Sequence, residues 1–180
     1  MPRIWHYAPL AYAETIAKAG FLLPSNTRAE RETPLLWFSL EPLWEPTAGK
    51  LLVNEQGRLG LATWAQQRKV FGVLRFGLSA QDSRLLDWVS ACKVARTPWK
   101  ERQRMEQQGR LLGANPRNWW ACPQALPVEE LDVQCFCAQE QWVPCTLDEA
   151  IADWRGDTQR QQAMAAMLAQ VSGRLRRSGL

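Results

Sequence analysis

The sequence predicts an α+β fold, a mixed or antiparallel sheet with flanking helices, in a core domain over residues 1–145. A C-terminal helical hairpin over residues 146–180 is expected to pack on that same domain. Three observations carry this reading. Val70–Leu78 is a long apolar run with strand character, and Val128–Ala138 alternates Leu131, Val133, Cys135 and Cys137 with polar residues. Gln141–Cys145 reads as the hairpin return of the second strand, confined to a sheet edge by Pro144. Thr146 with Glu149 spells a capping box. Leu147, Ala150, Ile151 and Trp154 then recur at helical spacing, and Met164, Met167, Leu168 and Val171 repeat it after Gly156.

The remaining elements follow in order. Arg3–Ala8 is a short strand carrying the chain's one histidine, His6. Pro9 suits a first helical turn and Gly20 a left-handed stop, which bounds a helix over Leu10–Ala19 before Phe21-Leu22-Leu23. Ser25–Pro34 is a polar loop. Leu35–Leu40 is a strand ended by Glu41-Pro42, and the stretch to Gly60 is turn-rich, with turns at 47–50 and 54–57. Thr63–Arg68 forms a short helix. Asp82 caps a helix over Ser83–Lys93, with Leu85, Leu86, Val89 and Cys92 on one face. Thr97–Gln108 is basic and partly helical up to Gly109, and the turn Gly113–Asn118 leads into Trp119-Trp120.

A chain of 180 residues is long enough to close one sizeable core, and 46% hydrophobic with 22% charged residues is the balance of a soluble globular protein. Ten tryptophans are an excess that suits a packed core or a stacking surface. No leader pattern and no membrane-length apolar run occur, so a cytoplasmic location without a membrane partner is expected. Five cysteines without a C-x-x-C pair, and one distant histidine, point away from a metal site and toward reduced, mostly buried thiols. Charge is segregated: seven basic residues face two acidic ones between Lys93 and Arg117, and eight acidic face one basic between Val128 and Asp157.

Several chemistries are disfavoured at once. There is no second histidine for a nucleophile–histidine pair, no G-x-S-x-G, no phosphate loop and no G-x-G-x-x-G. His6 at a strand end, beside Tyr7, is the side chain that titrates near neutrality unaided. Arg75, mid-strand, needs an anionic partner if it turns inward.

The order of a histidine-bearing strand, a helix stopped by glycine, the Trp37-Phe38-Ser39 strand and the long Val70–Leu78 strand resembles the core of the ADP-ribosyltransferase superfamily. The bacterial members that modify DNA or RNA and the RNA 2′-phosphotransferases are the most similar. The resemblance covers the first half of the chain plus one later strand. It implies NAD as substrate, with His6 bonded to a ribose hydroxyl and Ser39 at the second-strand position. Trp37 and Phe38 would then line the nicotinamide pocket and Tyr7 would add to the NAD site. Glu129 or Glu130 matches the family's glutamate that polarises the nicotinamide ribose, and Glu45, beside Trp44 after the Ser39 strand, is the rival acid. Tyr7 replaces the small residue usual after that histidine, and no tyrosine follows in the second strand.

A second reading is a non-enzymatic binding module. Lys93–Arg117 interleaves cations and aromatics, so Lys100, Arg102, Arg104, Arg117 and Trp119 suit phosphate contacts and base stacking on a single-stranded nucleic acid. The acceptor of an ADP-ribosyltransferase would be nucleic acid or protein. A third reading is a protein-inhibitor module built on the Met-rich last helix.

Overall fold

The computed structural model describes residues 2–25, 32–53 and 57–177. Part of the expected Ser25–Pro34 loop and most of the 54–57 turn lie outside the described residues. β1 (Arg3–Ala8) leads through buried Pro9 and a 3-10 turn, Leu10–Tyr12, into α1 (Ala13–Ala19). Gly20 stops α1 in the left-handed region, at φ 69°. β2 (Phe21–Leu22) is a stub, followed by β3 (Leu36–Ser39), then β4 (Leu51–Val53) and β5 (Leu59–Leu61). α2 (Trp64–Phe71), β6 (Leu74–Ser79), β7 (Leu86–Asp87), α3 (Trp88–Ala95) and α4 (Trp99–Leu111) come next. β8 (Trp119–Cys122), β9 (Leu126–Pro127), β10 (Asp132–Phe136), β11 (Trp142–Pro144), α5 (Leu147–Gly156) and α6 (Thr158–Arg177) complete the chain.

Seven strands form one antiparallel sheet in the order β11-β10-β6-β1-β3-β8-β7. The alternation of side chains along each strand gives it two faces. On the first, Ile4, Ala8, Leu36, Phe38, Leu74, Phe76 and Leu78 build the main core with Ala13 and Ile16 of α1 and with Leu147, Ala150, Ile151 and Trp154 of α5. The second face carries Trp5, Tyr7, Trp37, Ser39, Arg75, Gly77 and Trp119. Helix α3 and residues of α4 cover its β3–β8 side. α6 lies against α2 and β4, where Met164 and Met167 pack on Leu52, Ala62, Val70 and Phe71.

Where the elements depart from expectation, the cause is local. The long strand starts at Leu74 because Val70 and Phe71 finish α2, whose capping box pairs Thr63 with Gln66, and Gly72 then breaks the chain direction. The helix expected from Asp82 starts at Trp88 with Asp87 as its cap, because Leu86 and Asp87 pair with Ala121 and Trp120 of β8. Asp82 instead closes a turn and binds Arg84. Val128–Glu130 is a 3-10 turn, so β10 begins at Asp132. Leu168 faces outward while its neighbours on α6, Met164 and Met167, face in. Among the described residues no helix is long and apolar enough to cross a membrane.

Candidate functional site

β1 and β3 meet at one register pair, Trp5 opposite Ser39, whereas β1 follows β6 for six pairs and β3 follows β8 for four. The β1–β3 line is the most sparsely paired in the sheet and divides it into two wings, with the two strands still side by side along it. His6 stands beside the parting, and its Nδ1 lies 2.8 Å from the Trp37 carbonyl oxygen. A carbonyl only accepts, so this contact assigns the proton to Nδ1 and leaves Nε2 as an acceptor. The half-buried ring is flanked by Phe38 and Phe76, with centroids 5.8 and 6.3 Å away. Burial lowers its pKa to about 4; the bond to Trp37 opposes that shift and the positive charge of Lys50 adds to it. The Lys50 ammonium lies 5.3 Å from the centre of the Tyr12 ring, which is 46% exposed. Burial holds the Lys50 pKa below its ordinary value. Neither residue stands out in the sequence, where Lys50 closes the 47–50 turn and Tyr12 lies inside the expected Leu10–Ala19 helix.

The neutral imidazole has a measurable consequence. A folded-state pKa of about 4 against an unfolded value near 6.5 means that the unfolded chain binds the extra proton between those limits. Stability from this group is present above about pH 6.5 and is lost as pH falls toward 4. Denaturant titrations are expected to show a loss of roughly 2 kcal/mol between pH 7.5 and 4.5 that is missing in His6→Gln. An equal loss in the variant would refute the assignment.

Ser39 projects to the opposite face, level with Trp5. Its hydroxyl donates to Glu45 Oε2 at 2.8 Å, while Glu45 Oε1 accepts from the Thr47 hydroxyl at 2.7 Å and the Thr47 amide at 3.2 Å. Glu45 is only 5% exposed. A carboxylate offers about four acceptor positions; the described residues fill three and leave one on Oε2. Across the same face runs segment 41–44, pinned by three side chains. Tyr7 donates its hydroxyl to the Glu41 carbonyl, Arg75 donates to the Pro42 carbonyl, and the Trp142 indole donates to the Leu43 carbonyl at 3.0 Å. Burial raises the Tyr7 pKa above the ordinary phenol value, keeping it a donor.

Arg75 turns inward without an anionic partner among the described residues. Gln134 Oε1 receives two of its N–H groups at 2.8 and 2.5 Å, and the guanidinium stacks 3.7 Å from the Trp5 ring centre and 4.3 Å from that of Trp142. Uncharged acceptors and ring faces stand where the sequence reading asks for an anionic partner. Trp44 then packs 5.2 Å from Tyr7 and 5.0 Å from Trp64, beside Phe136 and Trp142, forming a half-exposed aromatic wall.

Of the NAD-site residues expected from sequence, His6, Tyr7, Trp37 and Ser39 all lie at the β1–β3 junction. Alternation places His6 on one face and the other three on the second, and the Trp37 ring sits 5.6 Å from Trp88 in the interior. Of the three candidate acids, Glu45 is the one bonded to Ser39. Glu129 and Glu130 occupy the 3-10 turn before β10, where Glu130 pairs with Arg84 at 2.8 Å. They form no bond to His6, Tyr7 or Ser39 among the described residues.

The basic segment is less available than its charge suggests. On α4, Arg102 pairs with Glu106 at 3.0 Å, Arg104 with Glu101 at 2.5 Å and Arg110 with Glu106 at 3.2 Å. Lys100 and Arg117 are exposed. Trp119 is buried edge-on to Trp88 at 5.0 Å, with its ring under Gly109, so it is a core residue rather than a stacking platform. The exposed ring there is Trp99, 64% accessible, with the Arg102 guanidinium 5.4 Å above it. No group of three or more metal-binding side chains occurs among the described residues. No family model matches the chain, and neither a curated protein nor a solved structure matches it.

Proposed function

We propose that the protein is ADP-ribosyltransferase-like: it takes NAD at the parting between β1 and β3 and transfers ADP-ribose to a macromolecular acceptor. The observation that supports this most is the single-pair junction itself, with His6 and the nearby Lys50 on one side of the strand pair and Ser39-bound Glu45 on the other. Binding there requires β1 and β3 to separate along this line, which brings both faces to one dinucleotide. His6 Nε2 accepts from a ribose hydroxyl, Lys50 faces the diphosphate, and the free acceptor position of Glu45 Oε2 takes a hydroxyl of the nicotinamide ribose. Breaking the bond between that ribose and nicotinamide develops oxocarbenium character, and a fixed carboxylate lowers its energy. The Ser39 and Thr47 bonds fix the carboxylate before the substrate arrives.

The second reading, single-strand binding, is favoured by the exposed Trp99–Arg102 pair on α4. Thermal unfolding with and without NAD separates the two. NAD at about 100 times its dissociation constant is expected to stabilise the parent by roughly 3 kcal/mol, a shift of several degrees. Lys50→Met and His6→Ala are expected to lose most of that shift. Absence of any response in the parent protein overturns the NAD reading. Salt-sensitive oligonucleotide binding that disappears in Arg102→Ala with Arg104→Ala would then take its place.

A further inference from the structure

Behind the edge of the sheet, on the main-core face, lies a cavity of about 600 Å³ lined by Cys135, Cys137, Cys145, Arg68, Glu149 and Arg160. Two of these thiols stand against one another, with Cys135 Sγ and Cys145 Sγ 2.7 Å apart. Cys135 belongs to β10, and Cys145 directly follows β11, with its amide bonded to the Val133 carbonyl at 3.0 Å. The two side chains are therefore diagonal neighbours across adjacent strands. Both are partly accessible, in contrast with the buried Cys92 and Cys122.

We propose that Cys135 and Cys145 are a redox-active dithiol that a hydroperoxide, entering through this cavity, converts to a disulfide. The roles of the two sulfurs differ. Cys145 immediately precedes Thr146, the N-cap of α5, at the positive end of the helix dipole. Either sulfur can donate to the other, so the contact favours one thiol and one thiolate, and the helix end places the thiolate on Cys145; burial and the nearby Glu149 act against this. Arg68, Lys69 and Arg160 balance Glu149 and Asp153 around the same cavity. Cys145 is thus the attacking sulfur. Its thiolate displaces hydroxide from hydrogen peroxide as the O–O bond breaks, giving a sulfenic acid. Cys135 then attacks that sulfur, the S–O bond breaks, and water leaves with the thiol proton. Two thiols and one peroxide yield one disulfide and two waters.

The bond would fasten the end of β11 and the start of α5 to β10, the strand that carries Gln134, the partner of Arg75. This inference is independent of NAD binding. The test uses the full chain as Cys137→Ser, so that of the thiols lining the cavity one remains on each side of Glu140, Cys135 before it and Cys145 after it. Treatment with dilute hydrogen peroxide is expected to remove two free thiols and two hydrogens of mass. Cleavage after Glu140 is expected to leave the two peptides joined until dithiothreitol is added. Cys135→Ser in the same background is expected to accumulate a sulfenic acid on Cys145, trapped by dimedone, and Cys145→Ser to leave Cys135 unmodified. The oxidised protein is also expected to unfold at a higher temperature than the reduced one. Both thiols surviving peroxide in the folded protein would overturn the proposal, as would loss of thiols from Cys92 or Cys122 in their place. Dimedone labelling of Cys135 rather than Cys145 would overturn the assigned roles.

Discussion

Phe76→Ala is expected to lower the free energy of unfolding by about 3–5 kcal/mol, the range for emptying a buried phenylalanine site. Phe76 has no accessible surface and lies in β6, between β1 and β10. His6 stands opposite it on one side and Val133 on the other. Both neighbours belong to strands, so neither moves into the vacated space without disturbing the ladder. The loss is a large share of the 5–15 kcal/mol that typically holds a domain together. Denaturant titration checks this, with Phe76→Leu expected to cost less than the alanine change. A loss under about 1 kcal/mol for alanine would mean that this face is not the principal core. Removing the ring also takes a wall from His6, so the acid-side loss of stability is expected to shrink in Phe76→Ala.

Gly77→Val is expected to be comparably damaging for the opposite reason, too much matter in a filled place. A Cβ at position 77 would stand 2.5 Å from Trp5 Cζ3 and 3.0 Å from Cη2. The indole lies flat across Gly77, directly opposite it in the β1–β6 register, and Arg75 is stacked on the ring. Any shift of the indole therefore drags the guanidinium from Gln134 and the Pro42 carbonyl. Overpacking of this kind costs about 1–3 kcal/mol and sometimes more; with the Arg75 bonds also at risk, roughly 3 kcal/mol or above is expected. Shortening the partner is the decisive control. Trp5→Leu combined with Gly77→Ala is expected to be less destabilised than the sum of the single changes, measured as a double-mutant cycle. Strict additivity would show that the two positions do not meet.

Much of the scaffold was legible because its signals are local. Gly20 stops α1, the Thr146–Glu149 box starts α5, and Pro144 marks the sheet edge, each through chemistry confined to a few residues. Boundaries failed where a distant segment decides them. Leu86 and Asp87 look helical by spacing, yet β8 draws them into a strand, and Val70 and Phe71 look extended until α2 buries them against α6. The candidate site can be written from sequence as a list of residues, but their arrangement cannot. Nothing in Arg3–Ala8 or Leu36–Ser39 discloses that Trp5, rather than His6, stands level with Ser39, because register is set by pairing across more than thirty residues of chain. Glu45 became the acid beside Ser39 through the path of segment 41–44, which Tyr7, Arg75 and Trp142 fix from three separate strands.

The two outermost strands have a consequence for how molecules of this protein meet at high concentration. One margin of the sheet is three residues long and ends at Pro144, which has no amide hydrogen to offer; the other is the pair Leu86–Asp87, which passes at once into a helix. Neither gives an incoming polypeptide enough unpaired backbone to lengthen the array. Fibrous growth by extension of this seven-stranded array therefore has to follow the opening of one of its two margins.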